Sequence, residues 1–130
     1  MRVIIALVAL AIATSVAAAP TAQQLMVGKW RSVDDARAMV EIRADGTWID
    51  SYTGIPSATA ASHWLLFSGA HPPKEAAGET LDAKSTYLEV SDKDGGTLFY
   101  ALDRVDAKSL ALLYLDRGNE LTYTRVKVTP

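Results

Sequence analysis

The chain of 130 residues contains no cysteine. That excludes disulfides, thiol catalysis, zinc held by thiolates and a lipid anchor at a processed N-terminal Cys. Histidine is nearly as scarce. His63 and His71 stand alone, and with no Cys and no His-x-x-x-His helical spacing they make a poor zinc site. His71, followed by Pro72-Pro73, reads as loop surface. No Gly-x-Ser-x-Gly elbow, Ser-x-x-Lys, His-Glu-x-x-His or phosphate loop is present. Ser68 lies near His71 in sequence without the context of an activated nucleophile. The segment Asp92-Lys93-Asp94-Gly95-Gly96 lacks the third acid and closing Glu of a calcium loop and reads as a turn. No catalytic residue, metal ligand or cofactor is assigned, and the chain is not read as an enzyme.

Basic blocks are missing as well. The charges, 13 Lys+Arg against 15 Asp+Glu, are mixed along the chain. Nucleic-acid binding, which rests on clustered Lys/Arg neutralising phosphates, is set aside. A long hydrophobic run is also lacking. Residues 3–13 are unbroken apolar, but a spanning helix needs about 20 residues. Met1-Arg2 precedes this run and Ala17-Ala18-Ala19 follows it. That three-part layout is a secretory signal peptide, cleaved after Ala19. The expected division is a signal peptide over 1–19 and one β-barrel domain over 20–130. It implies a periplasmic or secreted location with no stable membrane anchor, and a lone Arg2 argues against twin-arginine export.

Beyond the leader, Thr21-Ala22-Gln23-Gln24 fits a capping box and opens one short helical turn ending at Gly28. From there the pattern is β. Ala38, Val40 and Ile42 alternate with Met39, Glu41 and Arg43; Ala44-Asp45-Gly46 is a hairpin turn, and 47–52 is the return strand. Residues 54–61 are small and unpatterned and are expected to form a loop, with a short strand over 62–67. The stretch 68–81 is the least structured. Further strands are expected over 85–91, 97–105, 110–115 and 120–128, separated by polar turns. Seven or eight strands at regular spacing, with no repeat or linker, predict an all-β, small antiparallel up-and-down β-barrel with a short N-terminal helical turn.

Gly28-Lys29-Trp30, placed just after that turn, resembles the signature of the lipocalin-like (calycin) superfamily. The hairpin from Glu41 to Trp48 and the closing pattern Leu115-Asp116-Arg117-Gly118 with Leu121-Thr122-Tyr123-Thr124-Arg125 are similar to short bacterial exported domains of this kind. The resemblance covers both ends of the chain and leaves about 54–84 unmatched. It implies that Trp30 closes one end of the barrel and that Arg125 stacks over it, so Gly28, Trp30 and Arg125 are expected to be structural. The chain is shorter than a full lipocalin and lacks that family's second motif, which implies a smaller pocket or none.

Trp48, Tyr52, Trp64, Tyr100 and Tyr114 are the candidate ligand-binding residues, because an apolar face with a polar tip suits a barrel pocket. The plainer reading makes them ordinary core or surface aromatics. Asp50 shares a face with Trp48 and Tyr52 if that strand is regular. A carboxylate turned inward is costly unless it binds something polar, and an irregular strand or exposed face is the simpler expectation. Two functions follow. One is an exported lipocalin-like barrel that holds a small, mostly apolar ligand non-covalently, with loops 53–62 and 68–84 at its entrance. The other is a module that binds an envelope protein, such as a protease or lysozyme inhibitor, through the loop around His71-Pro72-Pro73.

Overall fold

A computed structural model describes residues 18–127. All of the expected leader except Ala18 and Ala19 lies outside them, as do residues 128–130. No helix among the described residues is long and apolar enough to cross a membrane.

The first ordered element starts at Thr21. Its Oγ1 accepts from the Gln24 amide at 3.2 Å, and Gln24 Oε1 accepts from the Thr21 amide at 2.9 Å. This reciprocal capping box holds the single helical turn α1 (Ala22–Met26). Eight strands follow: β1 (Gly28–Ser32), β2 (Ala38–Ile42), β3 (Thr47–Tyr52), β4 (Ile55–Ser68), β5 (Thr86–Ser91), β6 (Thr97–Val105), β7 (Ser109–Tyr114) and β8 (Glu120–Arg125). Each pairs antiparallel with its neighbour in sequence, and β8 returns to pair with β1, so the barrel is closed and up-and-down. Closure gives the backbone groups of β1 and β8 a partner that an open sheet would deny them.

Of the residues 54–61 expected as a loop, all but Gly54 instead belong to β4, and the short strand expected over 62–67 is the second half of the same element. The small side chains of Ala58, Ala60, Ala61 and Ser62 carry no hydrophobic period, yet their backbone pairs with β3 through Asp50↔Ala60 and Trp48↔Ser62. Strand formation here is a consequence of the neighbour's backbone rather than of propensity. β4 pairs with β5 only from His63 onward. Among the described residues Ile55–Ser62 therefore has β3 as its one ladder partner, which leaves a backbone edge along the upper part of the wall.

In an up-and-down barrel alternate connections fall at opposite ends. The turns 43–46, 69–84 and 106–108 share one end with α1; the turns 33–37, 53–54, 92–96 and 115–119 share the other. The α1 end is closed. Met26, Trp30, Ile42, Trp64, Leu88, Leu110 and Leu112 form its interior core, and Trp30, fully buried, donates Nε1–H to the Met26 carbonyl at 2.9 Å. A second apolar cluster lies on the outer wall. Phe67, Tyr87 and Phe99 face outward from β4, β5 and β6 and are covered by Ala76 and Leu81 of the 69–84 connection. That segment includes a 3-10 turn at Lys74–Ala76 and lies against the barrel as a strap. It is therefore not a loop at the entrance, because it leaves from the closed end.

Candidate functional site

The open end forms a cup. Register places Trp48 and Asp50 of β3, Ser62 of β4, Val90 of β5, Tyr100 of β6 and Tyr123 of β8 on its inner wall. Two lobes open there. One, of about 320 Å³, is walled by Trp48, Asp50, Ser62, Val90, Tyr100 and Tyr123, with Asp92 and Gly96 of a mouth turn at its rim. The other, of about 400 Å³, is walled by Val40, Asp50, Tyr52, Ala58, Leu121 and Tyr123. Asp50 and Tyr123 belong to both lobes and so stand at their junction. Each lobe is of the size that takes a small organic molecule.

The strand alternation explains why a carboxylate is there. Trp48, Asp50 and Tyr52 share one face of β3, and Trp48 is buried, so Asp50 must point inward. The register shift that begins after Asp50, between β3 and β4, comes too late to turn it outward. Asp50 Oδ1 accepts from Trp48 Nε1–H at 3.2 Å. Water reaches the side chain through the mouth, but the surrounding inner wall desolvates the carboxyl group. This raises its pKa above the ordinary carboxylate value, and the Trp48 hydrogen bond only partly opposes the shift.

Burial likewise pushes the Tyr123 hydroxyl up to about 12, with the Asp50 charge adding to the effect. Tyr100 is raised further by burial, then by Tyr123, Asp50 and Tyr114. Both phenols are therefore neutral donors at ordinary pH. Among the described residues neither hydroxyl hydrogen-bonds to the protein, so each polar tip remains available to a ligand in the cup.

The five aromatics named from the sequence divide. Trp48 and Tyr100 line the first lobe and Tyr52 the second. Tyr52 also lies under Arg37, whose guanidinium carbon is 4.7 Å from the ring centroid. Tyr114 backs Tyr100 with ring centroids 5.4 Å apart, and its hydroxyl donates to Asp116 at 3.4 Å. Trp64 stands apart from the cup. It is buried in the interior core and donates Nε1–H to the Arg43 carbonyl at 2.9 Å. Sequence reading did not include Tyr123 or Leu121, although their alternation with Arg125 on β8 places all three on the interior face.

Gly28, Trp30 and Arg125 come together at the closed end. The Arg125 guanidinium carbon is 4.1 Å from the Trp30 ring centroid. Gly28 has φ +146°, and a Cβ there would lie 2.4 Å from Arg125 Nη1, so a side chain would displace the stack. Among the described residues no three His, Cys, Asp or Glu side chains converge as a metal site. In comparisons with known proteins, no family model, curated protein or solved structure matches the chain.

Proposed function

We propose that the protein is an exported carrier of the lipocalin-like kind, holding a small ligand non-covalently in the cup at the open end of its barrel. The observation that carries this reading is the pair of lobes meeting at Asp50 and Tyr123, with two phenol hydroxyls that have no protein partner among the described residues. Apolar area on Trp48, Val90 and Leu121 supplies the driving force, and the phenols and carboxylate orient the ligand. The Gly28–Trp30–Arg125 arrangement supports the calycin-like assignment, and residues 1–19 support export to the periplasm or medium. Native mass spectrometry of protein purified from periplasm without detergent tests the reading. A discrete bound mass lost on denaturation supports it. A clean apo mass that persists after incubation with cell extract counts against it.

A second reading is a module that binds an envelope protein. The free backbone edge of Ile55–Ser62 favours it, because an extended segment of a partner could add to that edge as a strand. Ile55 on β4 and Leu98 on β6 stand exposed near the mouth on either side of that edge. Within the strap 69–84, Ala76 and Leu81 pack on the outer wall, while His71 and Pro72 stand exposed. Co-purification of a stoichiometric envelope protein, lost when Ala61, whose amide faces the free edge, is replaced by proline, would establish this second reading.

A further inference from the structure

We infer that the cup takes an organic cation: a protonated amine on a compact apolar or aromatic body. The inference rests on the ligand-carrier reading and specifies its ligand class.

Among the described residues the charged side chains lining the two lobes are Asp50 and Asp92, both carboxylates, and no Lys or Arg lines either lobe. Asp92 is at the rim, and its Oδ1 is already engaged by the Asp94 and Gly96 amides, each at 2.9 Å. Asp50 points into the cup from β3, where water still reaches it through the mouth, and among the described residues it has one hydrogen bond, from Trp48. Among the described residues it has no ion pair; the one salt bridge joins Arg43 and Glu41. Arg37 in a mouth loop is occupied by the Thr53 carbonyl, to which it donates from Nε and Nη2, and by the Tyr52 ring. A carboxylate set in a concave, partly apolar cup without a counter-charge is less well solvated than one on an open surface, and a ligand that fills the cup displaces its remaining water, which is favourable when the ligand brings the missing positive charge.

The walls fit the same ligand. Trp48, Tyr100 and Tyr123 line the same lobe as the carboxylate, and the faces of aromatic rings attract cations. The mouth loops carry Asp34, Asp35, Asp92, Asp94 and Asp116 against Arg37, Lys93 and Arg117, an acidic excess that draws cations toward the mouth and repels anions. An anionic ligand would meet Asp50 with no compensating base. A neutral one would leave the carboxylate as it is.

Three probes of similar shape separate these cases: 2-phenylethylamine, 2-phenylethanol and 3-phenylpropionate. The neutral dye N-phenyl-1-naphthylamine reports occupancy of the cup independently of charge. Dye displacement and calorimetry at neutral pH should show the amine binding about tenfold more tightly than the alcohol, the scale of one charge-assisted hydrogen bond, and the propionate binding more weakly than either. Asp50→Asn should erase the amine's advantage over the alcohol, both measured in that variant, and a cooperative thermal melt with an unchanged circular dichroism spectrum shows independently that it is folded. If the dye binds but the amine has no advantage, or keeps it in Asp50→Asn, the cation inference is wrong and the carrier reading stands. If neither the dye nor any probe binds, both fail.

Discussion

Arg125 lies over Trp30 at 4.1 Å and reaches α1 from the last strand, donating from Nη1 to the Val27 carbonyl at 2.8 Å and from Nη2 to the Leu25 carbonyl. Its Nε donates to the Ala107 carbonyl at 2.7 Å. One planar side chain therefore ties together α1, the β6–β7 turn and the end of β8 while capping a fully buried indole. The carbonyls at the end of α1 have no further turn of helix to accept from, so the guanidinium satisfies acceptors that would otherwise face a protein surface unpaired.

Arg125→Ala should cost about 2–4 kcal/mol, combining the stack with charge-assisted bonds to backbone. Arg125→Lys should recover little, because one ammonium cannot fork across three carbonyls and stack as well. Trp30→Ala should cost about 3–5 kcal/mol as a large core deletion. Thermal melts check all three, and probe binding at the far end of the barrel should survive in each variant that remains folded. An unchanged melting temperature for Arg125→Ala would mean that the closed end is held by other contacts.

The parts of this architecture with a local chemical cause could be read before the structure. The capping box at Thr21 and Gln24 formed as its residues require, and Asp45-Gly46 turns where Asp45 Oδ1 accepts from the Thr47 amide at 2.9 Å. Alternation located most of the strands. The first half of β4 was not legible, because Ser57, Ala58, Thr59 and Ala60 have no hydrophobic period and are strand only through backbone pairing to β3. The 69–84 strap was hidden for a similar reason: Ala76 and Leu81 are unremarkable until a wall of Phe67, Tyr87 and Phe99 gives them something to cover. At the candidate site, Trp48, Tyr52 and Tyr100 were recognisable as amphipathic aromatics, whereas Trp64 belongs to the core because its indole N–H finds the Arg43 carbonyl. The inward turn of Asp50 depends on where the β3–β4 irregularity falls, and spacing alone does not reveal that.

The strap is fastened at Tyr87. Its hydroxyl accepts from the Asp82 amide at 2.8 Å, its ring stacks on Phe67 at 5.6 Å, and a Cβ on Gly69 would strike the Asp82 carbonyl oxygen at 1.9 Å. Tyr87→Phe keeps the stack and leaves the Asp82 amide without its partner, a local loss of about 1–2 kcal/mol. Trypsin cleavage at Lys74 and Lys84 should then accelerate several-fold with little change in global melting. Equal cleavage rates in the two proteins would show that the strap is held by its apolar contacts alone.

Under that strap Glu89 is 5% exposed, and burial raises its pKa, with the Glu75 charge adding to the effect. A carboxylate raised in the folded state is penalised when ionised. The penalty is full above the folded pKa and disappears as pH falls below the ordinary value of the unfolded chain. Glu89→Gln should therefore melt higher than the parent at neutral pH. The difference should shrink on acidification through the raised pKa and be lost near pH ~3, below the usual glutamate value. A difference that stays constant with pH would trace the gain to packing instead of charge.

Asp50 obeys the same sign, with a different consequence. Its folded-state pKa is raised by desolvation, so ionisation at neutral pH works against folding. Asp50→Asn keeps the acceptor for Trp48 Nε1–H and removes the charge, and should melt slightly higher than the parent at neutral pH, by little because water reaches the carboxylate. That advantage should fade on acidification as the parent's own carboxyl group takes up a proton. A substitution that stabilises the fold while removing preference for the amine probe marks a residue maintained at the expense of stability, as expected of a binding group. If Asp50→Asn instead lowers the melting temperature at neutral pH, the carboxylate contributes to the barrel wall itself, and its position at the junction of the lobes follows from strand register rather than from ligand binding.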